Sequence, residues 1–90
     1  MKRSFDQDAW GDYLFWYEAD PKIFKKISAL IQDCARSPFK GLGKPEPLRN
    51  ELSGWWSRRI DDEHRMVYRV TGTGDAQTLQ IMQLRFHYSR

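Results

Sequence analysis

The sequence is poor in the features that define several large protein classes. It contains a single cysteine, Cys34, in 90 residues, which excludes an internal disulfide and is typical of a reducing compartment. No stretch approaches the roughly 18 consecutive apolar residues that a membrane-spanning helix needs, and residues 1–6 lack the apolar core of a secretory signal. We therefore expect one small cytoplasmic domain over residues 1–90 that makes no contact with a membrane.

Sequence motifs for common ligands are missing as well. The two histidines, His64 and His87, are far apart, and neither CxxC nor HExxH spacing occurs, so we expect no metal and no other cofactor. The chain has no P-loop and no GxGxxG motif, which argues against nucleoside triphosphate chemistry. Cys34 falls on the apolar stripe of a predicted helix, which favours a buried thiol over a nucleophile.

The residues that are present predict a folded domain with an uneven charge distribution. Four Trp, four Tyr and five Phe provide large buried areas and argue against disorder. Basic residues outnumber acidic ones by 15 to 12, for a net charge of +3, and the excess concentrates between residues 36 and 59. A solvated basic face and a surface for nucleic acid both fit this cluster. It comprises Arg36, Lys40, Lys44, Arg49, Arg58 and Arg59.

Hydrophobic spacing predicts two helices in the N-terminal half. The first begins at about Asp6, and Asp20-Pro21 starts the second with a capping carboxylate and a proline at the first helical position. The second helix continues to about Arg36, since the residue before a proline, here Ser37, disfavours helical geometry. The helices should form a hairpin. We expect it to cover one face of a sheet through Trp10, Leu14, Tyr17, Phe24, Ile27 and Ile31.

The C-terminal half changes to the alternation that is typical of strands. Aromatic and branched residues alternate with polar ones over three segments, and a fourth, weaker segment lies near the N terminus. These predicted strands span residues 55–60, 65–70, 78–86 and 2–5. An irregular basic connection over residues 39–50 precedes the first three, and Met66, Tyr68 and Val70 should face the helices. The prediction is an α+β fold, with two N-terminal helices packed on a twisted antiparallel sheet.

The other face of this sheet is predicted to carry a group of polar residues. Arg65 alternates with core residues along its strand, His87 falls on the polar side of the last strand, and Glu46 lies between two prolines that restrict its direction. Metal-free cleavage of RNA needs a base for the ribose 2′-hydroxyl, a cation for the charged phosphorane and an acid for the departing 5′-oxygen. Glu46, Arg65 and His87 match these roles in that order.

Each of these residues also has an ordinary interpretation. A proline-flanked glutamate is usually an exposed loop residue, strand arginines are usually solvated, and a histidine near a chain end is more often incidental than catalytic. A non-catalytic RNA- or ribosome-binding module and a domain that binds an acidic protein therefore stay open. A carboxylate inside a basic cleft favours the enzyme, because it repels phosphate and is tolerated mainly where it works as a base.

Three blocks of the sequence together resemble one protein family. KPEPL at residues 44–48, LSGWWSRRI at 52–60 and EHRMVY at 63–68, with the closing His87-Tyr88, are similar to the YoeB (Txe/YoeB) toxins of the RelE-like toxin–antitoxin superfamily. The similarity keeps the same order from Met1 to Tyr88. No block is specific alone, but their combination is.

The resemblance implies a microbial-RNase-like fold and an endoribonuclease that cleaves mRNA in the ribosomal A site and so inhibits translation. It also implies a homodimer, inhibition by a YefM-like antitoxin, and contact with operator DNA only through the antitoxin complex. Glu46, Arg65 and His87 match the general base, the phosphate-stabilising arginine and the general acid of the family.

The resemblance extends to substrate-binding positions. Tyr88 matches the aromatic residue that helps to place the substrate, and Arg49 stands where the family carries a lysine or another basic residue. Arg59 and Lys44 are further candidate RNA-binding cations. Two departures from the family are the added Ser89-Arg90 pair, which brings a cation near the site, and a longer hairpin over residues 71–77.

Overall fold

The structure is a computed structural model that describes residues 1–87. The elements along the chain are β1 (Lys2–Phe5), α1 (Gln7–Ala19), α2 (Pro21–Arg36), β2 (Glu46–Pro47), β3 (Trp56–Arg59), β4 (Arg65–Thr71) and β5 (Thr78–Gln83). Two helices therefore precede most of the sheet, and the predicted α+β class is confirmed. None of the helices within residues 1–87 is long and apolar enough to cross a membrane.

The sheet has five strands in the order β1-β5-β4-β3-β2. Neighbouring strands run antiparallel except β1 and β5, which are parallel, so the sheet is mixed. The predicted N-terminal strand is confirmed and forms one edge. The two-residue strand β2 forms the other edge and lies inside the segment that was expected to be an irregular connection.

Helix α2 follows its sequence signals closely. The Asp20 carboxylate accepts hydrogen bonds from the backbone N–H groups of Lys22 and Ile23, which satisfies donors that the first turn leaves unpaired. Its apolar stripe is buried, and Cys34 lies fully inside it. Burial raises the pKa of the Cys34 thiol, so the interpretation as an inert core thiol is supported.

Helix α1 buries a different face from the one predicted. Trp10, Leu14 and Tyr17 are exposed, whereas Ala9, Asp12 and Trp16 are buried. Asp12 and Trp16 both bind the backbone of Leu84, through an Asp12 Oδ2 acceptor at 3.0 Å and a Trp16 Nε1 donor at 2.9 Å. Aromatic residues occur on several sides of α1, so apolar spacing alone selected the wrong side.

The core lies between the helices and one face of the sheet. Met66 and Tyr68 of β4 are fully buried there as predicted, while Val70 is half-buried. Ile27 and Ile31 reach this core from α2, and Phe24 packs at its edge. The opposite face of the sheet carries no helix among residues 1–87. Val67, which is fully buried, lies on that face together with polar side chains.

Arg58 belongs to this interior and not to the basic surface on which the sequence placed it. It is fully buried, and its guanidinium donates to Asp33 Oδ2 at 2.7 Å and to three carbonyls of the loop after α2, those of Ser37, Lys40 and Leu42. A buried guanidinium needs such partners, because its charge is costly in a low-dielectric interior. The residue ties the loop over residues 37–43 to the sheet.

Candidate active site

The strand register assigns the candidate residues to one face. Glu46 of β2 pairs with Ser57, Ser57 with Val67, and Val67 with Gln83 of β5, so these four residues form a row across the sheet. Residues directly opposite each other project to the same side. This side is opposite to Met66 and Tyr68, the neighbours of Val67, and we call it the open face.

Two arginines occupy the next row of the open face. Arg59 pairs with Arg65, and both lie two residues from the first row, which puts them on the same side. Arg59 is exposed and Arg65 is half-buried. The structure therefore puts Glu46, Arg59 and Arg65 on one side, as the alternation predicted for Arg65.

Glu46 stands at the edge of the open face, beside a groove. It is exposed, and the groove measures about 430 Å³ and is lined by residues 46–50. Arg49, one of the lining residues, is exposed as well. Lys44, just before β2, has a positive φ of 51°, so the chain turns sharply where it enters the edge strand. A carboxylate and a guanidinium thus share one concave surface.

The guanidinium of Arg65 is held by backbone carbonyls. Its Nη1 donates to the carbonyl oxygens of Asp61 at 2.7 Å and of His64 at 3.1 Å. These bonds anchor one arm of the planar fork and so limit the directions in which the remaining N–H donors point. An arginine fixed in this way can hold an anion with little further loss of side-chain freedom.

His87 reaches the open face by a different route from the one predicted. Strand β5 ends at Gln83 rather than near Phe86, so simple alternation does not apply to the last residues. Instead, the Gln83 amide donates to the carbonyl of His87 at 2.9 Å, and the Arg65 backbone N–H donates to the carbonyl of Phe86 at 2.9 Å. The exposed His87 is thereby tethered at the backbone beside Arg65.

Of the other predicted site residues, Lys44, Arg49 and Arg59 are exposed. Their surface cluster is smaller than the sequence indicated, because Arg58 is internal. Tyr88 lies outside the described residues, as do Ser89 and Arg90.

The open face also carries an aromatic residue that the sequence analysis did not select. The guanidinium of Arg69 stacks over the ring of Trp55 at 4.4 Å from its centroid, and Arg69 Nε donates to Gln80 at 2.7 Å. Arg69 lies two residues from Val67 on β4 and so projects to the open face, and alternation from Trp56 could have assigned Trp55 to the same face.

The arrangement joins groups with complementary chemistry. A carboxylate and guanidinium groups share one sheet face, and the backbone of His87 is tethered at its border. A carboxylate accepts a proton, guanidinium groups bind phosphate oxygens, and an imidazole donates a proton. Within residues 1–87, no group of three or more His, Cys, Asp and Glu side chains is arranged to hold a metal ion.

Comparison with known proteins gives a consistent result. The family model for the YoeB-like toxin of bacterial type II toxin–antitoxin systems matches residues 5–88. Toxin YoeB of Streptomyces coelicolor is 56% identical over 88 residues, which cover 98% of this chain and 100% of that protein.

Solved structures agree with this match. The YoeB/ParE toxin from Agrobacterium tumefaciens has a TM-score of 0.95 and 51% identity, covering 98% of this chain and 100% of that one. Two structures from Staphylococcus aureus are 37% identical and cover 98% of both chains: a YoeB dimer with a TM-score of 0.83 and a heterotetrameric YoeB–YefM toxin–antitoxin complex with a TM-score of 0.84.

The sequence blocks that carry the resemblance all lie within the matched segment. The fold implied by the resemblance, two helices on a twisted sheet, is also the fold of these solved structures. Both the length of the match and the level of identity are those of a family member. The chain therefore belongs to the YoeB-like toxins of bacterial type II toxin–antitoxin systems.

Proposed function

We propose that this toxin is a ribosome-dependent mRNA endoribonuclease that cleaves in the A site and so inhibits translation. The observation that carries the proposal is the open face, on which the register unites Glu46 with Arg59 and Arg65 and to which the His87 backbone is tethered. These are the residue types that metal-independent cleavage requires, and the ribose itself supplies the nucleophile.

Three residues divide the work of the proposed reaction. Glu46 removes the proton from the 2′-hydroxyl, and the 2′-oxygen forms a bond to the neighbouring phosphorus. Arg65 holds the phosphate oxygens while negative charge accumulates on them. The bond from phosphorus to the 5′-oxygen then breaks, and His87 protonates that oxygen. The products are a 2′,3′-cyclic phosphate and a 5′-hydroxyl.

The proposal assigns further residues to binding of the message. Lys44, Arg49 and Arg59 are exposed cations that can neutralise neighbouring phosphates. Tyr88 is proposed to place the substrate beside His87. The groove next to Glu46, with Arg49 in its lining, supports an assignment of Arg49 to a phosphate close to the base.

The alternative proposal is an RNA- or ribosome-binding module of the same fold without catalysis. Exposed arginines alone support either function. The exposed Glu46 carboxylate, on the same side as Arg59 and Arg65, favours the enzyme, because it weakens phosphate binding and contributes to function only as a base.

The proposal extends to protein partners. We infer that the toxin is inhibited by a YefM-like antitoxin, that it forms homodimers, and that it contacts operator DNA only through the antitoxin complex. The structures of a YoeB dimer and of a YoeB–YefM complex from Staphylococcus aureus support the first two inferences.

A single 2′-deoxy substitution at the cut position of a ribosome-bound message tests the mechanism. Without the 2′-hydroxyl the nucleophile is absent, so we expect cleavage at that position to stop. Arg65→Ala and His87→Ala should each slow cleavage of the ordinary message by about a hundredfold or more. The rate is measured by mapping the 5′ ends of the products over time.

Two controls separate chemistry from folding. Lys25→Ala, on the exposed side of α2, should keep the normal rate. Thermal melting accompanies every variant, because Arg65→Ala also removes two carbonyl contacts. Undiminished cleavage of the deoxy-substituted message would exclude the mechanism. If the unmodified toxin binds the ribosome but does not cleave the message, the binding module would be favoured.

A further inference from the structure

The segment after β5 is held by one buried glutamine. Gln83 is only 4% exposed, and its side-chain Nε2 lies 2.9 Å from the carbonyl oxygens of both Arg85 and His87, with the Phe86 carbonyl at 3.5 Å. An amide NH₂ has two donors, so the two short bonds account for both. Gln83 thus connects the sheet row that contains Val67 to the backbone on both sides of Phe86.

Phe86 is fixed in an unfavourable backbone conformation. Its φ is 67°, a left-handed value that residues with a Cβ rarely adopt. Its N–H donates to His64 Nδ1 at 2.7 Å, and its carbonyl accepts from the Arg65 N–H at 2.9 Å. Strained conformations persist where surrounding contacts determine them, and here two neighbouring residues at the start of β4 supply those contacts.

A third contact fixes the side chains of the segment. The Arg85 guanidinium stacks over two rings, with its Cζ 3.6 Å from the Phe15 centroid and 4.6 Å from the Phe86 centroid. Leu84, one residue earlier, is bound by α1 through Asp12 and Trp16. Residues 84–87 are therefore anchored to α1, β4 and β5 together.

We propose that Gln83 and His64 are positioning residues that hold residues 84–87 so that His87 meets the 5′-oxygen of the scissile phosphate. This inference rests on the proposed function, because it needs His87 to be the general acid. Gln83 fixes the path of the backbone over residues 85–87. His64 accepts a hydrogen bond from the Phe86 N–H at the sharp turn. Neither residue touches the substrate. A displacement of His87 by about 1 Å can lower the cleavage rate by about a hundredfold.

Matched variants separate the two contacts from general loss of structure. Gln83→Met keeps the length of the side chain and removes the donors, whereas Gln80→Met removes a glutamine of the same strand that binds Asp6 and Arg69 instead. His64→Leu removes the Nδ1 acceptor, whereas His64→Asn keeps an acceptor at a similar position. We expect losses of about 10- to 100-fold for Gln83→Met and His64→Leu, and rates close to that of the unmodified toxin for the other two.

A message with a bridging sulfur in place of the 5′-oxygen identifies the step affected. A thiolate leaves without protonation, so the general acid becomes dispensable. His87→Ala, Gln83→Met and His64→Leu should then all cleave this message at nearly the rate of the unmodified toxin, while Arg65→Ala stays slow. In addition, Gln83→Met in the His87→Ala background should cause no further loss on the ordinary message, because both changes act through one group.

The outcomes distinguish this inference from the proposed function. If His87→Ala is not rescued by the sulfur-containing message, the assignment of the acid fails, and the positioning role fails with it. If His87→Ala is rescued but Gln83→Met and His64→Leu stay slow, the proposed acid stands and the positioning role is overturned. A loss for Gln80→Met as large as that for Gln83→Met, or additive losses in the double variant, would also overturn it.

Discussion

At the scale of single residues, Arg58 shows how a charge can serve the fold. Its Nη1 and Nη2 atoms reach Asp33 and the carbonyls of the loop over residues 37–43, and its Nε lies 3.3 Å from the Tyr68 hydroxyl. The hydrogen bond from Arg58 lowers the pKa of Asp33, and burial raises the pKa of Tyr68. This loop leads directly into Glu46, so the buried cation contributes indirectly to the open face.

Replacing Arg58 tests its structural role. Arg58→Met removes one of the partners of Asp33 and the donors to the carbonyls of Ser37, Lys40 and Leu42. The free energy of unfolding should therefore fall by about 1–3 kcal/mol for each acceptor that stays buried and unpaired. Urea denaturation followed by tryptophan fluorescence measures the change. Arg36→Met is the matched control, because Arg36 also pairs with Asp33 but its side chain is 78% exposed, and it should cost less than about 1 kcal/mol. Equal losses in the two variants would contradict the assignment.

At the scale of secondary-structure elements, the two helices differ in how well local signals describe them. Both begin after an aspartate, but only Asp20 caps its helix with its side chain. Asp6 instead accepts hydrogen bonds from the Gln80 amide and thereby joins the start of α1 to β5. The same residue type at the same helix position serves a local contact in one helix and a long-range contact in the other.

The cap of α2 is expected to contribute measurably to stability. Asp20→Ala removes both acceptor contacts with the first turn and should lower the free energy of unfolding by about 1 kcal/mol, whereas Asp20→Ser keeps an acceptor and should cost only a few tenths. The midpoint of urea denaturation measures this difference in stability, provided that the dependence of the unfolding free energy on urea concentration is the same in all variants. A serine variant as unstable as the alanine variant would show that the carboxylate acts in another way.

At the scale of the whole molecule, the helix-covered core and the proposed active site lie on opposite faces of the sheet. The helices cover one face of the sheet, and the charged residues gather on the other. Exposed basic residues near this open face, Lys44, Arg49 and Arg59, make it attractive to polyanions and to acidic peptides alike. The substrate and the inhibitor are therefore expected to compete for the same side of the molecule.

This competition predicts where the antitoxin binds. An acidic segment that folds on binding should cover the open face, and at least one of Glu46, Arg65 and His87 should be covered or displaced. Hydrogen exchange of the complex measures this, with protection expected around these residues and none on the exposed side of α2 near Lys25. A tight complex in which all three residues stay exposed, ordered and fully active would contradict the inhibition model.

Local rules predicted much of the fold and part of the candidate site. The start of α2, its end near Arg36 and the alternating faces of β4 follow from capping, proline geometry and pleating. Arg65 was thus assigned correctly to the side opposite Met66. The strand assigned to residues 78–86 was too long, because the hydrophobic pattern continues past Gln83 while the backbone pairing does not.

The sequence by itself determined the order of the two helices and of four of the five strands, the inert core position of Cys34 and the residue types of the open face, because these depend on neighbours along the chain. The short edge strand β2 did not follow from the sequence. Only the tertiary structure decided which side of α1 is buried, that Arg58 is internal, and how His87 approaches Arg65. Each of these depends on partners distant in sequence, such as Asp12 and Leu84, which are 72 residues apart, or Arg58 and Asp33, which are 25 apart. A polar side chain is stable in the interior only when such a partner satisfies it, and no local pattern records that partner.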